Sequence, residues 1–430
     1  MIKNPILLVI EKMIFTLFFF VSFFHFYSKE ILGSFATTGK VFEGKKFRSF
    51  ENEFGWNFFA NRPPSGISHL KALTTNYSHC NVWAVTTTIF NTSISVKKYL
   101  KLPMNYCLIV VADLQTPLGQ YENLPKNKVL YMDVPLQKKL SKHVPFVNMI
   151  PWNSFFRKNI GYIIAIVSNP LAIWDMDDDN VISTLSDFIS FIEKKNTFIT
   201  FFKATGIDKV INPFPLFLNL SNFEYSWPRG LPIENIKRSN VFTEKSKTLK
   251  NPLIIQSLAN NDPDVDAIFR LTKPLNITFR KNRALVLSYN QYSPLNAQSC
   301  IYFNHSFITM FLPMTVHGRV SDIWRGYIAE SLLHKYIDGE IIITSPLVNQ
   351  NRNSHNYLAD YMSEKNLYEQ SNEFVKALDE FGKKISSTNY SIYSSMEMTY
   401  KFLYDRGYVE AKDVINVVTW IDLIQDSTKY

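Results

Sequence analysis

The chain has 430 residues, 46% hydrophobic and 15% aromatic, with 35 Phe and 22 Tyr: enough apolar surface for one large domain or two ordinary ones. Its net charge of +9 is scattered among acids, and the densest basic stretch, 237–250, includes Glu244 and reads as a solvated loop. With no arginine-rich arm, zinc-type spacing or RNA-binding signature, the composition argues against nucleic-acid binding.

From the amino terminus, 13–27 (MIFTLFFFVSFFHFY) is strongly apolar. That run falls short of the roughly twenty residues needed to span a bilayer, but from Ile6 the length suffices if Glu11 and Lys12 snorkel. A membrane anchor is favoured over a cleaved signal peptide, because the small-residue pair Ser34-x-Ala36 lies far from the apolar run. Lys3 and Lys12 precede the segment and Lys40, Lys45, Lys46 and Arg48 follow it, so charge sets no orientation. Asn-x-Ser/Thr sequons at Asn76, Asn91, Asn219, Asn276, Asn304 and Asn389 are compatible with a lumenal domain.

Residues 29 to 78 mix Gly, Asn, Pro and aromatics without periodicity, and Pro63-Pro64 makes a stiff break, so they read as a stem. From Asn81 the pattern becomes strand, helix, strand. Residues 82–90 are β-branched and apolar, 106–113 (YCLIVVAD) form a short apolar run ending in an acid, and 129–134 suit a third strand. A helix is predicted over 154–167, burying Phe155, Ile160, Ile163, Ile164 and Val167, with Asn169-Pro170 ending it. Residues 171–174 read as the next buried strand and 182–195 as another helix. Fully apolar strands alternating with helices imply a parallel sheet covered on both faces. Beyond about 361, Phe374, Leu378, Phe381 and Ile385, then Val414, Val418, Ile421 and Ile424, keep helical spacing and predict a small helical appendage. Cys80, Cys107 and Cys300 are too few and too dispersed for a disulfide framework or a metal site; three buried thiols are expected, one disulfide being the other reading.

The run 171–180 (LAIWDMDDDN) stops at Asp175, Asp177, Asp178 and Asp179. Crowded carboxylates are costly unless something cationic sits among them. At the carboxyl edge of an open α/β sheet, where ligands bind, a divalent metal carrying phosphates is the natural partner. An EF-hand loop would need Gly and Glu where Asn180 and Ser186 stand, and a phosphatase of the haloacid-dehalogenase type would need Thr or Val in place of Asp179. A solvated acidic turn is the bland alternative. Asp113 ends a strand as a nucleoside-binding acid would, and Arg157 and Lys158 open the helix before the cluster, where cations meet a diphosphate or form a surface salt bridge. Asp322, set between Arg319 and Trp324-Arg325, is placed to take a proton from an acceptor hydroxyl. His355, after Arg352-Asn353-Ser354, could complete a metal shell, although a lone His is more often structural.

Eight strings carry a family resemblance: VWAVTTTI (82–89), VVADLQTP (110–117), RKNIGY (157–162), IWDMDDDN (173–180), WPRGLP (227–232), DPDVDAIFRLT (262–272), RVSDIWRGY (319–327) and RNSHNY (352–357). In this order and spacing they resemble the STELLO family of glycosyltransferase-like Golgi membrane proteins. More distantly, the DDD, RG-P and D-x-W-x-G-aromatic elements look like those of the reversibly glycosylated polypeptides, which are UDP-sugar enzymes. Around Asn296-Ala297-Gln298-Ser299-Cys300 the chain departs from the family, which has more polar side chains there.

The resemblance implies a GT-A-type, Rossmann-like mixed sheet with flanking helices, an N-terminal membrane anchor and a C-terminal helical region. It divides the chain into a short tail (1–12), a transmembrane signal anchor (13–28), a stem (29–78), a GT-A-like glycosyltransferase domain (79–360) and the helical region (361–430). It implies Asp177, Asp179 and His355 as ligands of Mn2+ or Mg2+, Asp113, Arg157, Lys158 and Arg229 as donor-binding residues, and Asp322 as the catalytic acid position. Arg229, Asp264 and Asp266 match family positions that also fit an ion-paired scaffold. The donor would be a UDP-sugar and the acceptor a glycan or glycoprotein, in a single-pass Golgi protein whose C-terminal domain is lumenal. The alternative is a non-catalytic, GT-A-shaped membrane protein that organises other Golgi glycosylation enzymes.

Overall fold

A computed structural model describes residues 41–428 apart from 43–44, 47, 56–61, 194–198, 207, 219–225, 239, 246–250, 274–275, 353–355 and 387–388. The expected anchor at 13–28, and His355, lie outside the described residues. No helix among the described residues is long and apolar enough to cross a membrane.

Two compact units emerge. In the first, the two-residue strands Val41–Phe42 and Lys45–Lys46 pair antiparallel. The helix Phe50–Phe54 follows, capped by Ser49, and the Phe50 N–H donates to Asp405 at 2.7 Å.

The second unit, from Arg62 onward, is built on one mixed sheet. In chain order its strands are β1 (Val82–Thr88), β2 (Tyr106–Ala112), β3 (Val129–Met132), β4 (Ala172–Met176), β5 (Asn180–Ile182), β6 (Thr200–Thr205), β7 (Val241–Lys245), β8 (Pro252–Asn261), β9 (Arg283–Leu287), β10 (Ser299–Phe303) and β11 (Glu340–Gln350). Across the sheet they run β3-β2-β1-β4-β10-β8-β11-β9-β6-β7, with β5 attached to β11. The first four are parallel, as their predominantly apolar runs alternating with helices predict. Antiparallel partners enter where β10 pairs both β4 and β8, so the sheet is mixed, as the resemblance implied. The chain leaves β1 toward β2 and β3 and returns to β4 on β1's other side. This reversal makes the crevice at the carboxyl ends of β1 and β4 the place where an α/β sheet binds ligands.

Helix α1 (Ile67–Thr74) lies in the segment read as a stem, so its last residues are a folded element rather than a linker. Helix α2 (Lys158–Val167) is buried on every side, because β1 and β2 cover one face while α1 and the last helix cover others. Gly161 is where it meets the sheet: an added Cβ would stand 2.4 Å from Val85 Cγ1 and 3.0 Å from Val111 Cγ2. The helix expected over 182–195 begins later, as α3 (Leu185–Ile192). Val181 and Ile182 are β-branched and belong instead to β5, paired with Asn349 and Val348.

Helix α4 (Gly318–Tyr336) crosses behind the cleft, and Trp324 stacks on Phe374 of α5 (Lys365–Ser386) at 4.4 Å. The last helix, α6 (Ala411–Thr428), packs on α2 and buries Val414, Val418, Ile421 and Ile424, as their spacing predicts. Cys80 and Cys107 form a disulfide across the amino ends of β1 and β2, which corrects the expectation of three free thiols; Cys300 alone is a buried thiol.

Candidate active site

The turn after β4 presents its carboxylates at the crevice. Asp175, the fourth residue of β4, is fully buried between β1 and β10. The protein itself supplies its cations: Lys158 Nζ lies 2.8 Å from Asp175 Oδ1, and the Arg325 guanidinium 2.8 Å from Asp175 Oδ2. Lys158 also donates to Asp177 Oδ1 at 2.8 Å and to the Ala297 carbonyl at 3.0 Å. Burial alone would lower the Lys158 ammonium, but Asp175 and Asp177 outweigh it and hold its pKa above the ordinary value.

The three following acids diverge. Asp177 turns to the cleft with 37% of its side chain exposed. Burial pushes its pKa up to about 6 against the pull of Lys158, and neighbouring Asp179 adds to the rise. Asp178 accepts from the Thr88 hydroxyl at the end of β1, and burial raises its carboxyl too. Asp179 accepts from Asn180 at 2.9 Å and from Gln350 of β11 at 3.1 Å.

A second ionic cluster forms the facing wall. Arg229 forks onto both oxygens of Asp264, at 2.8 and 2.7 Å, and onto both oxygens of Asp322, at 3.1 and 2.7 Å. It also donates to the Arg319 carbonyl, while Asp322 accepts a further bond from the Ala297 N–H at 3.2 Å. All three side chains are more than nine-tenths buried. Burial would raise the Asp264 carboxyl, but Arg229 overrides it and holds the pKa well below the ordinary carboxylate range.

Between these walls is a cleft of about 290 Å³ that Asp177, Arg229, Asp264 and Asp322 share with Phe155, Gln298 and three basic residues, His317, Arg319 and Arg352. Arg319 is bonded to Glu364, and Arg352 reaches Asp264 at 3.8 Å. His317 caps α4, its Nδ1 accepting from the Arg319 N–H at 3.2 Å. Partial burial, and then Arg319, lower its pKa. An accepting Nδ1 leaves the proton on Nε2, so the imidazole is a neutral hydrogen-bond donor.

The strings read along the chain therefore meet in space: Lys158, Asp177, Arg229 and Asp322 come from four of them and face one cleft or its acid wall. Of the four expected donor-binding residues, only Arg229 lines the cleft. Asp113 spends its carboxylate on the N–H groups of Leu114, Asn153 and Ser154, at 2.7 to 2.8 Å, and so pins a loop. Arg157 is buried, bonded to Gln137 and the Ile150 carbonyl, and stacked over Trp152 at 3.6 Å; it does not reach the cleft. Lys158 is a counter-ion of Asp175 and Asp177 rather than an open cation. Sequence reading missed His317, whose only signal was its place just before the first glycine of the helix that carries Asp322.

The fold and cleft define an α/β protein with a carboxylate- and guanidinium-lined pocket at the switch point of its sheet. Residues 319–422 match the family model described as STELLO glycosyltransferases. The chain is 26% identical over 263 residues to two Arabidopsis thaliana proteins, Probable glycosyltransferase STELLO1 and STELLO2, an alignment covering 58% of this chain. It spans about a third of the length of these curated relatives. The STELLO resemblance read from the strings is thus borne out over the aligned part of the chain. Among solved structures, a Pyrobaculum calidifontis mannosyltransferase in complex with GDP-Man and Mn2+ aligns over 84% of this chain and 97% of its own, at 7% identity and a TM-score of 0.28, too low to bear on fold or site.

Proposed function

We propose that the chain is a metal-dependent glycosyltransferase of the GT-A type that takes a UDP-sugar donor, acting as a single-pass Golgi protein with a lumenal catalytic domain. One observation carries the reading: Asp177, beside the switch point, and Asp322, on the opposite wall, line the same cleft.

The donor set suits a hard divalent cation. Asp177 offers an accessible carboxylate, with Asp179 two residues on. Among the described residues no three carboxylates or imidazoles stand close enough together at this turn to share a cation. Mg2+ and Mn2+ use such sites, binding one or two carboxylates and taking further oxygens from substrate phosphates. The metal would neutralise charge on the nucleoside diphosphate as the sugar bond breaks.

The protein's own groups do the rest. Lys158 fixes the Asp177 carboxylate, the His317 Nε2–H and the guanidinium groups of Arg319 and Arg352, each already paired with an acid, are the donors the far wall would offer a phosphate, and Arg229 orients Asp322. Asp322 would take the acceptor's proton at the one acceptor position that the Arg229 clamp and the Ala297 N–H leave on it. That clamp is also the observation favouring the second reading, a non-catalytic organiser of other glycosylation enzymes.

Calorimetric titration of UDP with and without Mn2+ tests the site. Metal-dependent binding that disappears in Asp177→Ala supports the proposal, and metal-dependent binding unchanged in that variant overturns it. Hydrolysis of any UDP-sugar by the wild type then separates enzyme from organiser.

A further inference from the structure

A second candidate metal site lies at the opposite, amino-terminal edge of the sheet. His79 and Cys80 stand one residue short of β1, and Cys107 is the second residue of β2, opposite Trp83 in the parallel register. The His79 Nε2 lies 3.6 Å from Cys80 Sγ and 3.9 Å from Cys107 Sγ, and the three ligand atoms fall within 4.8 Å of one another. A tetrahedral zinc ion with Zn–S near ~2.3 Å and Zn–N near ~2.05 Å has nitrogen-to-sulfur edges of about 3.6 Å. The imidazole therefore already stands at ligand distance from both sulfurs. Both cysteines are buried while His79 is exposed, which leaves a fourth position open to water.

We propose that reduction of the Cys80–Cys107 disulfide converts this corner into a zinc site with His79, Cys80 and Cys107 as ligands. A dithiol reductant supplies the two electrons and two protons: its thiolate attacks one cysteine sulfur, a mixed disulfide forms and resolves, and the reductant leaves as a disulfide. Zn2+ then displaces the two thiol protons, and two thiolates with one neutral imidazole give a centre without net charge, suited to its buried sulfurs. In the oxidised state His79 Nε2 sits 3.0 Å from the Asn127 carbonyl, which can only accept, so that nitrogen carries the proton. Metal binding moves the proton to Nδ1 and gives up this bond, so His79 latches to Asn127 in one state and to metal in the other. The two strands stay clipped in either state, by a covalent bond or by an ion. The sequence hid the site because the cysteines stand 27 residues apart and the histidine directly abuts one of them.

The test uses the full chain, reduced with a phosphine that is then removed, and titrated with Zn2+ or Co2+ under argon. Reduced protein is expected to bind one more Zn2+ per chain than oxidised protein, with at least tenfold higher affinity than the oxidised chain shows. Co2+ should give the thiolate-to-metal charge-transfer absorption of a two-sulfur site. His79→Ala, at an exposed position that leaves the fold intact, should weaken Zn2+ binding at least tenfold, and Cys107→Ser should abolish the charge-transfer band. Asp177→Ala should bind Zn2+ at this corner as the wild type does, which keeps the result independent of the cleft. Equal Zn2+ affinity of the oxidised and reduced chains, or of reduced wild type and His79→Ala, overturns the proposal.

Discussion

Arg229 holds Asp322 by both carboxylate oxygens, at 3.1 and 2.7 Å, while its other edge grips Asp264. The candidate base is therefore one jaw of a buried clamp, and the arginine is the shared element. Arg229→Met leaves two carboxylates buried without their cation. It should cost roughly 3–5 kcal/mol in urea unfolding, the usual penalty for stripping one partner from a buried pair. Asp322→Asn keeps the Asp264 half and should cost clearly less, while abolishing sugar transfer. A stability loss for Asp322→Asn equal to that for Arg229→Met would deny Arg229 its central place.

Lys158 is the corresponding element on the acid wall. Lys158→Met removes the ammonium that bridges Asp175 and Asp177 and should destabilise the chain by about 3 kcal/mol or more, read by chemical denaturation. Because Arg325 still faces Asp175, the residual strain should concentrate on Asp177, and Asp177→Asn in the same background should recover part of the loss.

The cleft should respond to pH with a definite sign. Asp177 has its pKa raised to about 6 from an ordinary 3.8. A carboxyl raised on folding favours the protonated folded form, so its contribution to stability is complete below about pH 4 and is lost as pH rises through 6. Only the ionised form serves a cation. Mn2+-dependent UDP binding should therefore be strong near neutrality and weaken as pH falls through 6. Affinity that stays flat across this window in calorimetry would remove Asp177 from the metal.

Gly161 and Gly326 stand inside the strings RKNIGY and RVSDIWRGY because another group occupies the space of a side chain. At Gly326 a Cβ would lie 2.8 Å from both the Cβ and the carbonyl oxygen of Leu295. Gly161→Ala and Gly326→Ala should each destabilise by roughly 1–3 kcal/mol, the range for overpacking a tight interior. Gly326→Ala should be the harder to absorb, since one of its obstacles is backbone.

Reducing the Cys80–Cys107 bond in metal-free buffer opens a loop of 27 residues in sequence separation and should lower stability by roughly 3–4 kcal/mol. Thermal unfolding with and without reductant measures this; equal midpoints would mean that the bond contributes nothing.

Much of the parallel half of the sheet was legible because β2 is an unbroken apolar run and β1 and β4 are β-branched or apolar over most of their length, a pattern that suits a strand buried on both faces. The antiparallel half was not. Register between β10 and β4 depends on neighbours more than a hundred residues away, and no local period announces it. Val181-Ile182 misled for a related reason: a short apolar pair before a helix suits either element, and pairing with β11 decided it. At the site, the crowding of acids after β4 correctly required cations. It could not show that Lys158 and Arg325 would provide them, because the distance from Asp175 to Arg325 is set by packing alone. Asp113 looked like a ligand contact for the same reason that it is a structural one. An acid at a strand end meets whatever N–H groups the following loops present, and here these belong to the chain itself.

The way Lys158 and Arg325 meet Asp175 has a consequence for how much charge the cleft can accept. With Asp175, Asp177, Asp178 and Asp179 ionised, the end of β4 and the turn after it carry four negative charges, and the two built-in cations return two of them. The shortfall equals the charge of a single divalent ion. If the proposed site holds a metal, one divalent ion would balance this charge and a second would overcharge it.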